Sequence, residues 1–232
     1  MKQRKVLLTG AAGGLGQFFS QALVQAGYQL IVTDYTEFSA PENSRKIIAD
    51  LSNPAEVQRL IQEAGEVDIL INNAALMPLL PITDLTSDLW RRIQSVNVDA
   101  VFLLSQAFCP AMVQRGFGRV INFSSSTIWG PPPGMAAYVT SKMGIIGLTR
   151  ALASEFSGHG VTINAISPGL TKHDGTIKHL PSEAFDAVAT RQFIHRTEEP
   201  EDLIGPLLFL ASKAAAFITG QVLNVDGGGF GF

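Results

Sequence analysis

The chain has 232 residues, of which 46% are hydrophobic and 16% charged, with a formal net charge of −3. Such a length and apolar content fit one domain with a sizeable core, and the charge offers no basic block to attract nucleic acid or an anionic membrane. The single cysteine, Cys109, excludes an intrachain disulfide, and the apolar run 101–109 around it reads as the setting of a buried structural thiol.

Met1-Lys-Gln-Arg-Lys5 is basic, but the apolar run at 6–8 stops at Thr9-Gly10 and is too short for a signal peptide. It reads instead as a first strand, followed by the turn Gly10-Ala-Ala-Gly-Gly-Leu15-Gly16 and a helical pattern through Phe18, Phe19, Ala22, Leu23 and Ala26. Strand, glycine turn and helix begin a dinucleotide-binding unit: Gly10, Gly14 and Gly16 let the backbone approach a pyrophosphate at the helix N-terminus. Taken alone, the turn also suits an ordinary tight connection. A second strand at 29–33 ends at Asp34, about 20 residues past the glycines, where a carboxylate can accept from an adenosine ribose. Asp34 repels a 2′-phosphate, and Tyr35-Thr36 supplies no cation to hold one, which favours NAD over NADP.

The stretch 35–49 is short for a crossover that must also contain a third strand near 46–49, so the usual helix is expected to be vestigial or absent. Asn53 reads as the N-cap of a helix over 54–64 with Pro54 at its first position. A strand at 68–71 delivers Asn72-Asn73-Ala74-Ala75, followed by the apolar loop 76–81. Residues 87–114 read as one long helix with Leu89, Ile93, Val96, Ala100, Leu103, Leu104 and Ala107 on one stripe, interrupted by Asn97. The longest uncharged interval, 120–141, is broken by Pro131, Pro132 and Pro133, so no transmembrane helix is expected.

The β-branched run 119–123 ends in Ser124, Ser125 and Ser126, and a second long helix is expected over 135–157. On that helix Tyr138 and Lys142 lie four residues apart on one face. A cation held beside a tyrosine favours the phenolate and lowers its pKa, which makes an acid-base pair; a solvated helix face satisfies the same spacing. A sixth strand at 161–166 leads to Pro168-Gly169. Residues 172–199 form a loop-rich insert of the kind that serves as a lid, with Leu180, Phe185, Val188 and Phe193 near helical spacing. His173, His179 and His195 fit no compact metal motif. A helix at 201–211, a seventh strand at 221–226 and a glycine-rich tail at 227–232 complete the chain.

The ordered set of glycine turn, Asn97, Ser125, Tyr138-Val-Thr-Ser-Lys142 and Asn-Ala-Ile-Ser-Pro168-Gly169 resembles the short-chain dehydrogenase/reductase family over nearly the whole chain. The resemblance implies a single-domain, Rossmann-like doubly wound parallel sheet of about seven strands. It implies catalytic roles for Asn97, Ser125, Tyr138 and Lys142. Cofactor contacts are implied at Gly10, Gly14, Leu15, Gly16, Asp34, Asp50, Leu51, Asn73, Ala74, Ala75, Tyr138, Lys142, Pro168, Gly169 and Thr171. Ser125 would hydrogen-bond a substrate oxygen, Tyr138 exchange its proton, Lys142 hold the ribose, and Asn97 complete the relay. Two departures stand out: Ala75 takes the place of a glycine, and Thr171 and His173 replace the pattern that usually follows Pro-Gly.

The expected function is hydride transfer between NAD and an alcohol or carbonyl substrate. Its body is expected to be apolar or aromatic, given Met77, Leu79, Leu80, Ile128, Trp129, Met135, Leu170, Phe185 and Phe193, and similar to the substrates of members acting on aryl alcohols and on pyridoxal. A 3-oxoacyl-thioester reductase and a catalytically silent NAD-sensing protein are the alternatives. A cytoplasmic homo-oligomer, most simply a tetramer, with no metal, nucleic acid or membrane partner, completes the expectation.

Overall fold

The computed structural model describes residues 3–230. The strands Lys5–Thr9 (β1), Gln29–Asp34 (β2), Ser44–Ile48 (β3), Ile69–Asn72 (β4), Gly118–Phe123 (β5), Val161–Pro168 (β6) and Val222–Val225 (β7) pair entirely in parallel, in the order β3-β2-β1-β4-β5-β6-β7. Strands β1, β4, β5 and β6 are almost wholly buried and near-continuously apolar, as strands covered on both faces must be. The order reverses between β1 and β4, where a crevice opens beyond the carboxyl ends of the strands.

Helices Gly14–Gln25 (α1) and Glu201–Ala211 (α8) cover one face, where Phe19, Leu23, Leu203 and Leu207 join Val6, Leu8 and Ile71 in one cluster. Phe19 of α1 meets Phe123 at the end of β5 with ring centroids 5.1 Å apart. The opposite face carries Pro54–Ala64 (α2), Ala100–Gln114 (α4) and Ala136–Phe156 (α5), clustered around Leu7, Leu70, Val120 and Ile163. Burying each such side chain contributes about 1.5–3 kcal/mol. Asn53 caps α2 as expected, accepting from the Ala55 N–H at 3.0 Å.

No helix forms between β2 and β3. Phe38 and Ala40 instead lay a short strap on the α1-side core, which explains how so few residues complete the crossover.

The long helix runs from Ser87 to Gln114 but is not uniform. Ser87–Gln94 (α3) passes into a π-helical turn, Ser95–Asp99, before α4 begins. Ile93, Val96, Ala100 and Leu104 of the expected stripe are buried, and after the wider turn the buried face extends to Val101, Ser105, Phe108 and Met112 while Leu103 and Ala107 are only half-buried. By length and composition alone this helix is long and apolar enough to span a membrane, as core helices of globular proteins also are, and 44% of its most apolar window is buried in the protein.

The insert 172–199 is also more ordered than expected, containing Asp174–Ile177 (α6) and Ser182–Arg191 (α7). Through Phe230 the tail packs on the same chain, where an added Cβ at Gly130 would overlap its ring; Gly231 and Phe232 lie outside the described residues.

Candidate active site

At the switch point the turn after β1 is built around missing side chains. Gly10 has φ +70°, and a Cβ there would stand 2.7 Å from the Ala74 Cα; a Cβ on Gly16 would overlap the Gly10 carbonyl oxygen. Thr9 Oγ1 accepts from the Asn73 and Ala74 N–H groups, both at 3.1 Å, and the Asn73 amide donates to the Thr9 and Gly10 carbonyls at 3.0 and 3.1 Å. The Asn73 side chain and N–H thus brace the glycine turn. Leu15 packs toward the core and Ala75 is exposed.

The N-terminus of α1 has no side-chain cap and no acidic residue in its first turn. Its unpaired N–H groups and positive dipole end fit a phosphate. At the end of β2, Asp34 is 8% exposed and its carboxylate accepts from the Ala12 N–H at 2.9 Å and the Tyr35 N–H at 2.8 Å. Asp50 turns onto Ser52, accepting from its N–H and hydroxyl, and the Leu51 side chain belongs to the core. Only the backbone of Leu51 remains for a ligand contact.

The second half of the site lies beyond β5. Tyr138, Lys142, Ser125 and Asn97 are all buried, with exposures of 8%, 3%, 7% and 1%. The Lys142 Nζ donates to the Phe123 carbonyl at 2.7 Å and stands 5.7 Å from the Tyr138 ring centre. Ser124 donates to the Lys142 carbonyl at 3.0 Å, which pins the helix to the strand and leaves Ser125 as the serine whose hydroxyl meets Tyr138. Burial pushes the Tyr138 pKa up and the Ser125 hydrogen bond opposes it, while burial brings Lys142 down to about 8. In the free protein burial thus outweighs the lowering of the tyrosine that sequence reasoning assigned to Lys142.

Asn97 lies within the π-helical turn. Its Oδ1 accepts from the Leu76 N–H at 2.8 Å, and its amide donates to the Leu76 carbonyl at 3.0 Å and to Ser141 Oγ at 2.9 Å. Ser141 in turn donates to the Tyr138 carbonyl at 2.6 Å. A second buried chain, Asn72 to Asn122 to Thr149, with bonds of 2.8 and 2.9 Å, ties β4 and β5 to the same helix. Sequence reading missed Ser141, Asn122 and Thr149; the signal available was polar residues on otherwise buried elements.

Beyond β6 the Thr171 hydroxyl donates to Glu198 at 2.9 Å and the side chain is buried, so it has no proton left for a cofactor carboxamide. Its oxygen can still accept. The His173 imidazole lies directly on Gly14, where an added Cβ would overlap it, and its Nδ1 accepts from the Gly175 N–H at 3.1 Å. Burial holds its pKa below the ordinary histidine value. Lys172, His173 and Ile177 face Gly14, Gln17 and Phe18 across a cleft of about 330 Å³, which brings the insert against the glycine turn.

Of the expected substrate wall, Ile128, Met135 and Phe185 are buried packing residues, whereas Met77, Leu79, Trp129 and Phe193 are exposed by 39%, 54%, 41% and 80%. The loop 76–81 is fixed to the turn before α5 through Leu80 N–H to the Gly134 carbonyl at 3.1 Å. Among the described residues no cluster of three His, Cys, Asp or Glu side chains could hold a metal ion.

Compared with known proteins, residues 10–229 match a family model described as enoyl-(acyl carrier protein) reductase. The chain is 34% identical to a galactitol 2-dehydrogenase (L-tagatose-forming) of Cereibacter sphaeroides, over 95% of this chain and 92% of that one. It is 33% identical to a 3-oxoacyl-(acyl-carrier-protein) reductase of Rickettsia felis, over 96% and 95%. Among solved structures, a 4-hydroxyisoleucine dehydrogenase complexed with NADH superposes with a TM-score of 0.92 at 26% identity, covering 99% of this chain and 100% of that one. A gluconate 5-dehydrogenase of Burkholderia cenocepacia in complex with NADP and tartrate gives 0.90 at 28% identity, covering 98% and 95%.

Proposed function

The chain belongs to the short-chain dehydrogenase/reductase family of nicotinamide-dependent oxidoreductases, and from that membership we propose an NAD-dependent alcohol dehydrogenase or carbonyl reductase. The observation that carries this reading is the buried cluster of Ser125, Tyr138 and Lys142 at the end of β5, one strand from the switch point. The nicotinamide supplies the hydride acceptor or donor. Ser125 donates to the substrate oxygen and holds it beside Tyr138, whose hydroxyl exchanges the proton. Lys142, anchored on the Phe123 carbonyl, carries the charge that favours the phenolate and binds the ribose. Asn97 positions the loop at Leu76 and, through Ser141, the start of the helix that carries Tyr138. The glycine turn and α1 N-terminus would hold the pyrophosphate, Asp50 and the Leu51 backbone would meet the adenine, and Pro168 and Gly169 would meet the nicotinamide.

NAD preference rests on Asp34, whose carboxylate is fixed where a ribose hydroxyl would be met and where a phosphate would be repelled. Lys46, the nearest cation along the following strand, is already paired with Glu37. Separate fluorescence titrations with NADH and NADPH test it; tighter NADPH binding overturns it.

The substrate class we favour is a compact alcohol or carbonyl compound with an apolar or aromatic body, as in family members acting on aryl alcohols and pyridoxal. Exposed Met77, Leu79 and Trp129 support it, since a polyhydroxylated body would leave hydroxyls unpaired against them. The relatives' names point to polyols and acyl thioesters instead, so one panel with NAD decides: benzylic alcohols, pyridoxal, galactitol, gluconate and 3-oxoacyl thioesters. Turnover of polyols alone overturns the apolar reading. NADH binding without turnover of any compound favours a cofactor-sensing protein. We also propose a cytoplasmic homo-oligomer, supported by exposed Phe102 and Met143 on the paired long helices and Phe209, Phe217 and Leu223 near the last strand.

A further inference from the structure

The segment that leaves β6 is bonded to the Val225 carbonyl and the Thr176 hydroxyl, and both of its ends meet one carboxylate far along the chain. Glu198 Oε2 accepts from the Gly169 N–H at 2.8 Å, and Oε1 accepts from the Thr171 hydroxyl at 2.9 Å. The Glu198 carbonyl accepts from the Lys172 N–H at 2.8 Å, and Thr171 and Glu198 form an isolated parallel bridge. Glu198 is 5% exposed, and Gly169 is glycine because a Cβ there would overlap its carboxylate and stand 3.1 Å from the Asp226 Cα. The regular pairing of β6 with β7 ends at Pro168 and Val225 with a last bond from the Gly169 N–H to the Val225 carbonyl at 2.9 Å, and the clasp adds to that bond a side-chain anchor on both Gly169 and Thr171.

We propose that Glu198 is a positioning residue for the nicotinamide end of the cofactor site, holding Gly169 and Thr171 in the one arrangement that presents the Pro168-Gly169 turn to the dinucleotide. The proposal rests on the nicotinamide-dependent reading above and adds a residue that touches neither substrate nor cofactor. Two donors converge on two oxygens, and only an ionised carboxylate offers both as acceptors without a proton of its own to place. A protonated acid, or a glutamine, must instead donate to the Thr171 hydroxyl and keeps only a neutral oxygen for the Gly169 N–H, so two charge-assisted bonds become weaker neutral ones.

The charged groups facing Glu198 are Asp202 on α8, Asp226 after β7, and Arg196, which is bound to Asp202 through both terminal nitrogens. Burial, opposed by the two hydrogen bonds and assisted by the neighbouring carboxylates, pushes Glu198 up to about 7. Both forms therefore occur near neutrality, and the clasp loosens as pH falls.

The test is an NADH fluorescence titration of the full chain from pH 6 to 8.5, with E198Q and T171V alongside. For the wild type, Kd should rise about tenfold as pH falls through 7, the effect of exchanging charge-assisted hydrogen bonds for neutral ones. E198Q should bind at pH 8.5 as weakly as the wild type does at pH 6, without a step near 7. T171V, which keeps the carboxylate, should bind several-fold more weakly at pH 8.5. His173 is held below its ordinary value and does not account for a step near 7. A step that persists in E198Q belongs to another group, Lys142 included, and overturns the proposal, as does wild-type affinity in E198Q at pH 8.5. Should E198Q fail to fold by circular dichroism, unchanged affinity in T171V overturns it. A wild type that binds neither NADH nor NADPH removes the cofactor reading and the clasp together, whereas a binding wild type matched by E198Q removes the clasp alone.

Discussion

The start of the catalytic helix and the segment beyond β6 both border the same crevice, yet they are held in opposite ways. Around Tyr138, order is redundant: Lys142 reaches the β5 carbonyl, Ser124 bonds back to Lys142, and Asn97, Ser141, Asn122 and Thr149 tie the helix to three other elements. The turn from Pro168 to Lys172 has fewer holds, the Val225 carbonyl, the Thr176 hydroxyl and Glu198, and the last is a buried carboxylate with two more carboxylates as neighbours and its pKa pushed up to about 7. A proton-transfer group gains from a fixed surround because catalysis needs its geometry before the substrate arrives. A turn that must admit and release a dinucleotide gains from a hold that can loosen.

Substitutions can sharpen or break that contrast. The largest effect is expected at the glycine turn common to both regions: Gly16→Ala places a Cβ on the Gly10 carbonyl and should weaken NADH binding on the order of a hundredfold, read by fluorescence. Retained affinity would mean that the turn is not the phosphate cradle.

A smaller effect is expected from pH. Because the folded pKa of Glu198 is raised, the fold takes up a proton between the ordinary carboxylate range and 7. The resulting stability is fully present below that range and is lost as pH rises through about 7, by up to about 3 kcal/mol. Urea unfolding at pH 5 and 8.5 measures it, and E198Q should remove that component of the slope; an unchanged slope contradicts the assignment. Smaller again, Asn97→Ala should cost about 1–3 kcal/mol by leaving the Leu76 backbone groups and Ser141 without their partner. A stability loss below the resolution of the same urea experiment would show that the redundancy around Tyr138 reaches even this amide.

The two regions also differ in how legible they are. Signals of short range were readable: the glycine turn, the Tyr138 and Lys142 spacing on one helix face, the Asn53 cap, and a crossover too short for its helix. The strand ends that carry Asp34 and Ser125 followed from runs of β-branched residues stopped by polar ones. What escaped was set by contacts distant in sequence or by a change of helical period. The π-helical turn at Asn97 extended the buried face to Val101, Phe108 and Met112, which a constant period misses. The Glu198 clasp joins residues 27 and 29 positions apart, and nothing in the local pattern of Glu198 distinguishes it from Glu199, which is exposed. His173 was visible as a departure, but not its place on Gly14. The apolar residues around the pocket could not be divided by sequence into wall and packing, because both are apolar.

Whether Tyr138 is the proton-transfer group is decided by a paired measurement on Tyr138→Phe, with turnover of the best substrate and NADH affinity determined on the same preparation. Turnover should fall by ~10²–10⁴, the usual worth of a positioned proton-transfer group, with NADH affinity unchanged within about twofold, because the hydroxyl acts on the substrate oxygen. Wild-type turnover in the variant, or a loss explained by weakened NADH binding, would contradict that role.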